Sequence, residues 1–112
     1  MRQVSIVSLL FAAALGPVAF AQEIGSPARG LVYVRDRCAE CHAVEAATKQ
    51  SPVRAAPSFV TIANVPGMTP MALTAWLHSS HKLMPNLIVH SEDLGDVIAY
   101  IRSLKSSPPA EK

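Results

Sequence analysis

Aromatic side chains are scarce in this 112-residue chain, which has one Trp, two Tyr and three Phe. Phe11 and Phe20 fall near the front, so Tyr33, Phe59, Trp76 and Tyr100 are the rings left for an interior. Charge of one sign is lacking as well, with ten Lys and Arg against eight Asp and Glu. A near-neutral chain has no electrostatic case for nucleic acid or a strongly anionic surface. No strand pattern or internal repeat appears, and no two acids form a convincing catalytic pair. Beyond the front of the chain there is no apolar run able to span a bilayer. Cysteine occurs only twice, at Cys38 and Cys41.

Half of the residues are hydrophobic, and part of that excess lies at the front. Residues 1–21 carry Arg2, an apolar run from Val4 to Phe20 and then Ala19-Phe20-Ala21. That order is the n-region, h-region and A-x-A pattern of a secretory signal. Gly16-Pro17 breaks the run just before the site, which favours cleavage after Ala21 over a retained anchor. Removing 21 of the 112 residues would leave 91, residues 22–112. Arg2 leaves too, so nine basic residues face eight acidic ones, a net +1. A domain of this size has a modest core and often leans on a disulfide, metal or cofactor. Something besides aromatic rings is expected to fill its middle.

The rest reads as all-α, with three or four helices. Ser26-Pro27 is a cap and first helical position, and Leu31, Val34 and Cys38 follow at helical spacing. This predicts a helix over Pro27 to Cys38. Gly30 costs it about 1 kcal/mol against Ala, so another backbone or ring is expected close by. Residues 43–67 are broken by Pro52, Pro57 and Pro66, which predicts a long loop with a short helix near Ser58 to Ala63. A loop of this length in a small domain is usually functional or wrapped around something. Thr69-Pro70 opens a helix expected to reach Ser79, with Leu73, Trp76 and Leu77 on one face. Pro85 biases Met84 away from helical angles. Ser91 is expected to cap a final helix ending at Lys105, with a stripe of Leu94, Val97, Ile98, Ile101 and Leu104. The core would span 26–105, with 106–112 a flexible tail.

The segment "DRCAECHAV" carries both cysteines and His42. A disulfide would close a very small ring and leave His42 unexplained. A redox-active dithiol needs a strand-helix setting that is not there. Zinc needs four ligands, and no second close pair appears, although His78, His81 or His90 could add to Cys38 and Cys41. Cys-x-x-Cys-His is the signature of covalent haem attachment. The two thiols add across the haem vinyl groups, and His42 then lies under the iron. Attachment follows export in bacteria, in agreement with the signal. For the opposite face the candidates are Met68, Met71, Met84, His78, His81 and His90. Met71 lies in a helix and reads as core filler. Met84 fits best, on non-helical chain before a rigid proline.

With these residues in place the chain resembles a small bacterial class I cytochrome c over Ser26 to Leu104. "CAECH" matches the attachment site, and "HKLMPNL" resembles the methionine loop of short monohaem members. Gly30, eight residues before Cys38, falls where the family has a glycine in its first helix. "DVIAYI" resembles the last helix, whose aromatic (here Tyr100) crosses near that glycine. "APSF" resembles a segment whose proline carbonyl, here that of Pro57, accepts a hydrogen bond from the proximal histidine.

The resemblance implies one covalent haem c, held by Cys38 and Cys41, with His42 and Met84 as axial ligands. It implies a periplasmic electron carrier rather than an enzyme, cycling Fe(II) and Fe(III) between a redox donor and acceptor such as an oxidase, dehydrogenase or peroxidase. The chain would be a monomer or a small subunit of an oxidoreductase. Trp76 could meet a haem propionate or simply pack. Lys49 and Arg54 could face a propionate, a partner or solvent, and Lys82 is a candidate rim charge. A haem sensor or enzyme in which Met84 dissociates, a dehydrogenase subunit, and a non-haem thiol or zinc protein remain the alternatives.

Overall fold

Among the described residues of the computed structural model, three of the four helices begin on a hydroxyl cap. The structure describes residues 25–79, 83–84 and 87–106. Ser26 Oγ accepts from Arg29 N at the start of α1 (Pro27–Arg37). Ser58 Oγ accepts from Thr61 N to open α2 (Phe59–Ala63). Thr69 Oγ1 accepts from Ala72 N to open α3 (Pro70–Leu77). In α1 and α3 a proline follows the cap, where its missing N–H costs nothing.

The last helix, α4 (Ser91–Ser103), departs from expectation. Its N-cap is His90, with no side-chain cap bond, and Ser91 is already helical. Glu92 and Asp93 in the first turn instead place negative charge against the exposed N–H groups. At the other end Leu104 is the C-cap, and Arg102 rather than Lys105 supplies the last-turn charge. Asn64, just past α2, donates to Leu104 O at 3.3 Å and accepts from Ser106 N at 2.9 Å. That pair of bonds anchors the end of α4.

The other three described helices, α1, α2 and α3, each pack on α4. Val34 of α1 and Val97 and Ile101 of α4 are almost fully buried. Phe59 and Ala63 from α2 and Leu73 from α3 complete the same cluster. The described residues are thus all-α, with no strand among them. No described helix is long and apolar enough to cross a membrane. The expected signal (1–21), Lys82, His81, Pro85 and residues 107–112 of the tail lie outside the described residues.

The α1–α4 crossing is close because Gly30 is there. A Cβ at that position would stand 2.0 Å from Asp96 O and 2.7 Å from Tyr100 Cβ. Neither neighbour can yield, since one is helix backbone and the other lies at the root of its side chain. The Asp96 carboxylate fastens the start of α1 beside this contact. It accepts from Ser26 N at 2.6 Å and from Arg29 Nε and Nη2 at 2.6 and 3.0 Å. These donors hold the Asp96 carboxyl below its ordinary range, the Arg29 hydrogen bond contributing most.

Met71 corrects an expectation. It is 81 % exposed rather than core filler. Leu73, two positions on, is the α3 residue that turns inward, and two helical positions differ by about 200° in direction. An inward Leu73 therefore sends Met71 to solvent.

Candidate functional site

The segment from Cys38 to His42 continues α1 by one further turn. Ala39 N donates to Val34 O at 3.0 Å, and His42 N to Cys38 O at 2.9 Å. An i, i+4 step brings Cys38 and His42 onto one side of that turn. Cys38, Cys41 and His42 all line a cavity, whereas Glu40 between them is exposed.

The proline-broken loop is tied to this turn at two points, through Val53 and Pro57, and closed on its own first residue, Ala43, at two more. Val53 N donates to Cys41 O at 3.2 Å, and Ala43 N to Ser51 Oγ at 3.0 Å. Phe59 N donates to Ala43 O at 2.9 Å. His42 Nδ1 donates to Pro57 O at 2.7 Å. From the opposite side Tyr100 Oη in α4 donates to Val44 O at 2.6 Å in a buried bond. Burial then pushes the Tyr100 hydroxyl above its usual pKa, with Glu45 adding to the effect.

The His42 bond decides a protonation state. A carbonyl can only accept, so Nδ1 carries the proton. In the neutral ring Nε2 is then left with the lone pair, the arrangement found when histidine ligates a metal. Phe59 leans on the ring, with centroids 5.4 Å apart and planes tilted by 53°. The ring is thereby held by a hydrogen bond and an aromatic contact together.

Two chambers meet at this histidine. The larger, about 390 Å³, is walled by Phe59, Leu73, Leu77, Val97, Ile101 and other apolar side chains. The smaller, about 140 Å³, runs past Cys41, Val53 and Ala56 to Leu83. Cys38, His42, Pro57, Met84 and Leu87 line both. A water takes about 30 Å³ and needs polar partners. An apolar space many times that size is ligand-sized.

The structure thus brings Cys38, Cys41, His42, Pro57 and Met84 together around the smaller chamber, and Cys38, His42, Pro57, Met84 and Trp76 around the larger. Trp76 stands at its edge, 56 % exposed. Met68 also lines the larger chamber. Sequence reasoning missed Phe59, Leu87 and Val89 as cavity walls, because Leu87 and Val89 lie on irregular chain and the five-residue α2 that carries Phe59 is too short to show a period. It also missed Leu83, whose φ of 72° is left-handed and carries no local sequence signal.

The Cys38 thiol is not poised for nucleophilic chemistry. Burial, reinforced by Cys41, pushes the Cys38 thiol up to about 11. A redox-active dithiol needs the opposite shift, towards thiolate. Nor do the described residues gather three or more His, Cys, Asp or Glu side chains able to hold a metal ion by themselves. Comparison with protein-family models, curated proteins and solved structures finds no match for the chain.

Proposed function

We propose that this chain is an exported monohaem cytochrome of class I type that carries single electrons between redox proteins. The observation that carries the proposal is the bond from His42 Nδ1 to Pro57 O, beside two thiols and a thioether on one apolar cavity. The residues present fit a haem by their chemistry. Cys38 and Cys41 offer thiols three residues apart, His42 offers Nε2, and Met84 offers a thioether from a separate segment. The chamber between them is apolar and ligand-sized, as a flat apolar ring requires.

When bound, haem supplies the one-electron Fe(II)/Fe(III) couple. The protein's part is to hold and tune it. Cys38 and Cys41 anchor it covalently. Pro57 and Phe59 fix the plane and tautomer of His42, and the carbonyl raises the basicity of Nε2. Met84, which lines the same cavity as His42, would supply the second protein ligand to the iron, a ligation that would favour electron transfer over binding of substrate or oxygen and raise the potential. The apolar walls keep water from the site and complete a core that four aromatic rings do not fill.

Expression of the full chain in a bacterial host with haem-attachment machinery tests this. The expected product is coloured, heavier by one haem, and shows the weak far-red band of ferric iron bonded to methionine. Met84→Ala should abolish that band while the haem stays attached. A colourless product of unchanged mass would overturn the assignment. A coloured wild type without the band would favour the haem sensor or enzyme instead.

A further inference from the structure

Three consecutive residues bear on His42, and the middle one lines neither chamber. Pro57 O accepts from His42 Nδ1 at 2.7 Å, and Phe59 leans its ring on the imidazole. Phe59 N also donates to Ala43 O, on the residue after His42. Between them lies Ser58, only 8 % exposed although its side chain is polar.

Ser58 aims the Pro57 carbonyl through the backbone. A peptide unit is planar from one Cα to the next, so the Pro57 C=O shares a plane with Ser58 N and Cα. Rotation about either backbone bond of Ser58 therefore turns that carbonyl relative to α2. Ser58 holds φ −66° and ψ 153°, an extended conformation directly before the helix. Its side chain keeps it there. Ser58 Oγ accepts from Thr61 N at 3.1 Å and is paired with Thr61 Oγ1 at 2.9 Å. A five-residue helix has few internal bonds with which to define its own start, so this cap matters more than one on a long helix.

Rival donors stand close to the same peptide. Ser58 lines a polar pocket of about 340 Å³ together with Lys49, Gln50 and Arg54, whose side chains can all donate. A Pro57 carbonyl turned away from His42 would find partners there, so losing the bond would leave no oxygen unsatisfied. The bond thus depends on the peptide being held in one orientation.

Building on the electron-carrier reading, we infer that Ser58 is a positioning residue, whose pairing with Thr61 sets the His42–Pro57 hydrogen bond and through it the reduction potential. The Pro57 carbonyl draws on the Nδ1 proton and makes Nε2 a stronger electron donor, which favours the ferric state. A weaker bond therefore raises the potential.

Redox titration and NMR of the haem-loaded protein test this. Ser58→Ala should favour the reduced form about fivefold, a rise of roughly 40 mV at about 59 mV per tenfold. The His42 Nδ1 proton of the ferrous protein should move upfield and exchange faster with solvent, while the ferric protein keeps its far-red band. Ser58→Thr retains a capping hydroxyl and should restore both values. Thr61→Val keeps the bond from Thr61 N and should shift both values the same way by less. That variant decides the matter if Ser58→Ala does not fold. An unchanged potential and Nδ1 proton in the deciding variant would make Ser58 a cap for α2 alone and overturn the inference, leaving the carrier reading standing. Equal shifts in Ser58→Thr and Ser58→Ala would overturn it too. A wild type that takes up no haem would overturn the carrier reading itself.

Discussion

Two faces of α4 meet different kinds of neighbour. Along Asp96 and Tyr100 it meets α1 in direct contact, with a glycine opposite backbone and each polar group bonded. Along Val97 and Ile101 it also walls a 390 Å³ chamber, whose far side is built by α2, α3 and irregular chain. The first region completes itself with its own side chains. The second lines up apolar surface and one ordered histidine around a space, and close-packed interiors do not leave such spaces for nothing. The lesson is that stability and function use opposite packing rules in one small domain, on the same helix.

On the proposed haem reading, that contrast is broken most severely by Cys38→Ala/Cys41→Ala, which would prevent attachment. Hydrogen exchange should then show α2 and α3 amides nearly unprotected, while Val97 to Ile101 keep measurable protection. Equal loss in both regions would mean that the α1–α4 crossing is not self-sufficient.

Gly30→Ala attacks the crossing from the other side. Helix propensity alone would favour it by about 1 kcal/mol. The 2.0 Å approach to Asp96 O should reverse that sign and destabilise by about 3 kcal/mol in urea unfolding. A neutral result would show that the helices can slide apart.

Tyr100→Phe removes the donor to the buried Val44 carbonyl and leaves that oxygen unsatisfied. The expected loss is about 1–3 kcal/mol by thermal or urea unfolding, and on the proposed haem reading the visible spectrum should change little. A large change in the far-red band would couple this bond to the cavity and blur the distinction.

The smallest effect concerns pH. The Asp96 carboxyl is held below its unfolded value, near 3.9, chiefly by Arg29. Its stabilisation is therefore fully present above that value and is lost as pH falls through the lower folded value. Asp96→Asn should be less stable than wild type at neutral pH. The gap between them should close as the solution is acidified below about pH 4. A gap independent of pH would mean that Asp96 acts through packing alone.

Much of the helical skeleton is legible in the sequence because caps and prolines act locally. Ser26-Pro27 and Thr69-Pro70 mark the starts of α1 and α3 to the residue. The final helix was less legible at its ends, since its first turn relies on Glu92 and Asp93 charge rather than on a capping hydroxyl. Met71 was misassigned for a related reason. A helix of eight residues with apolar residues on several sides does not announce which one turns inward. That choice depends on where α4 lies.

By itself the sequence determined the residue types of the site and their spacing. Cys38, Cys41 and His42 fall within five positions, and local backbone geometry keeps them on one helical turn. It also determined the cost of Gly30, which is intrinsic to that residue. The Pro57 carbonyl as acceptor for His42 Nδ1–H was expected from the family resemblance alone, and only the tertiary structure places the two together, because Pro57 lies fifteen residues away across a loop with no periodic signal. The same holds for the bond from Tyr100 to Val44, 56 residues apart, and for the meeting of Met84 with His42 on one cavity. Short-range preferences select helices and turns one at a time. Which groups then meet depends on packing all of them at once, and no window along the chain contains that information.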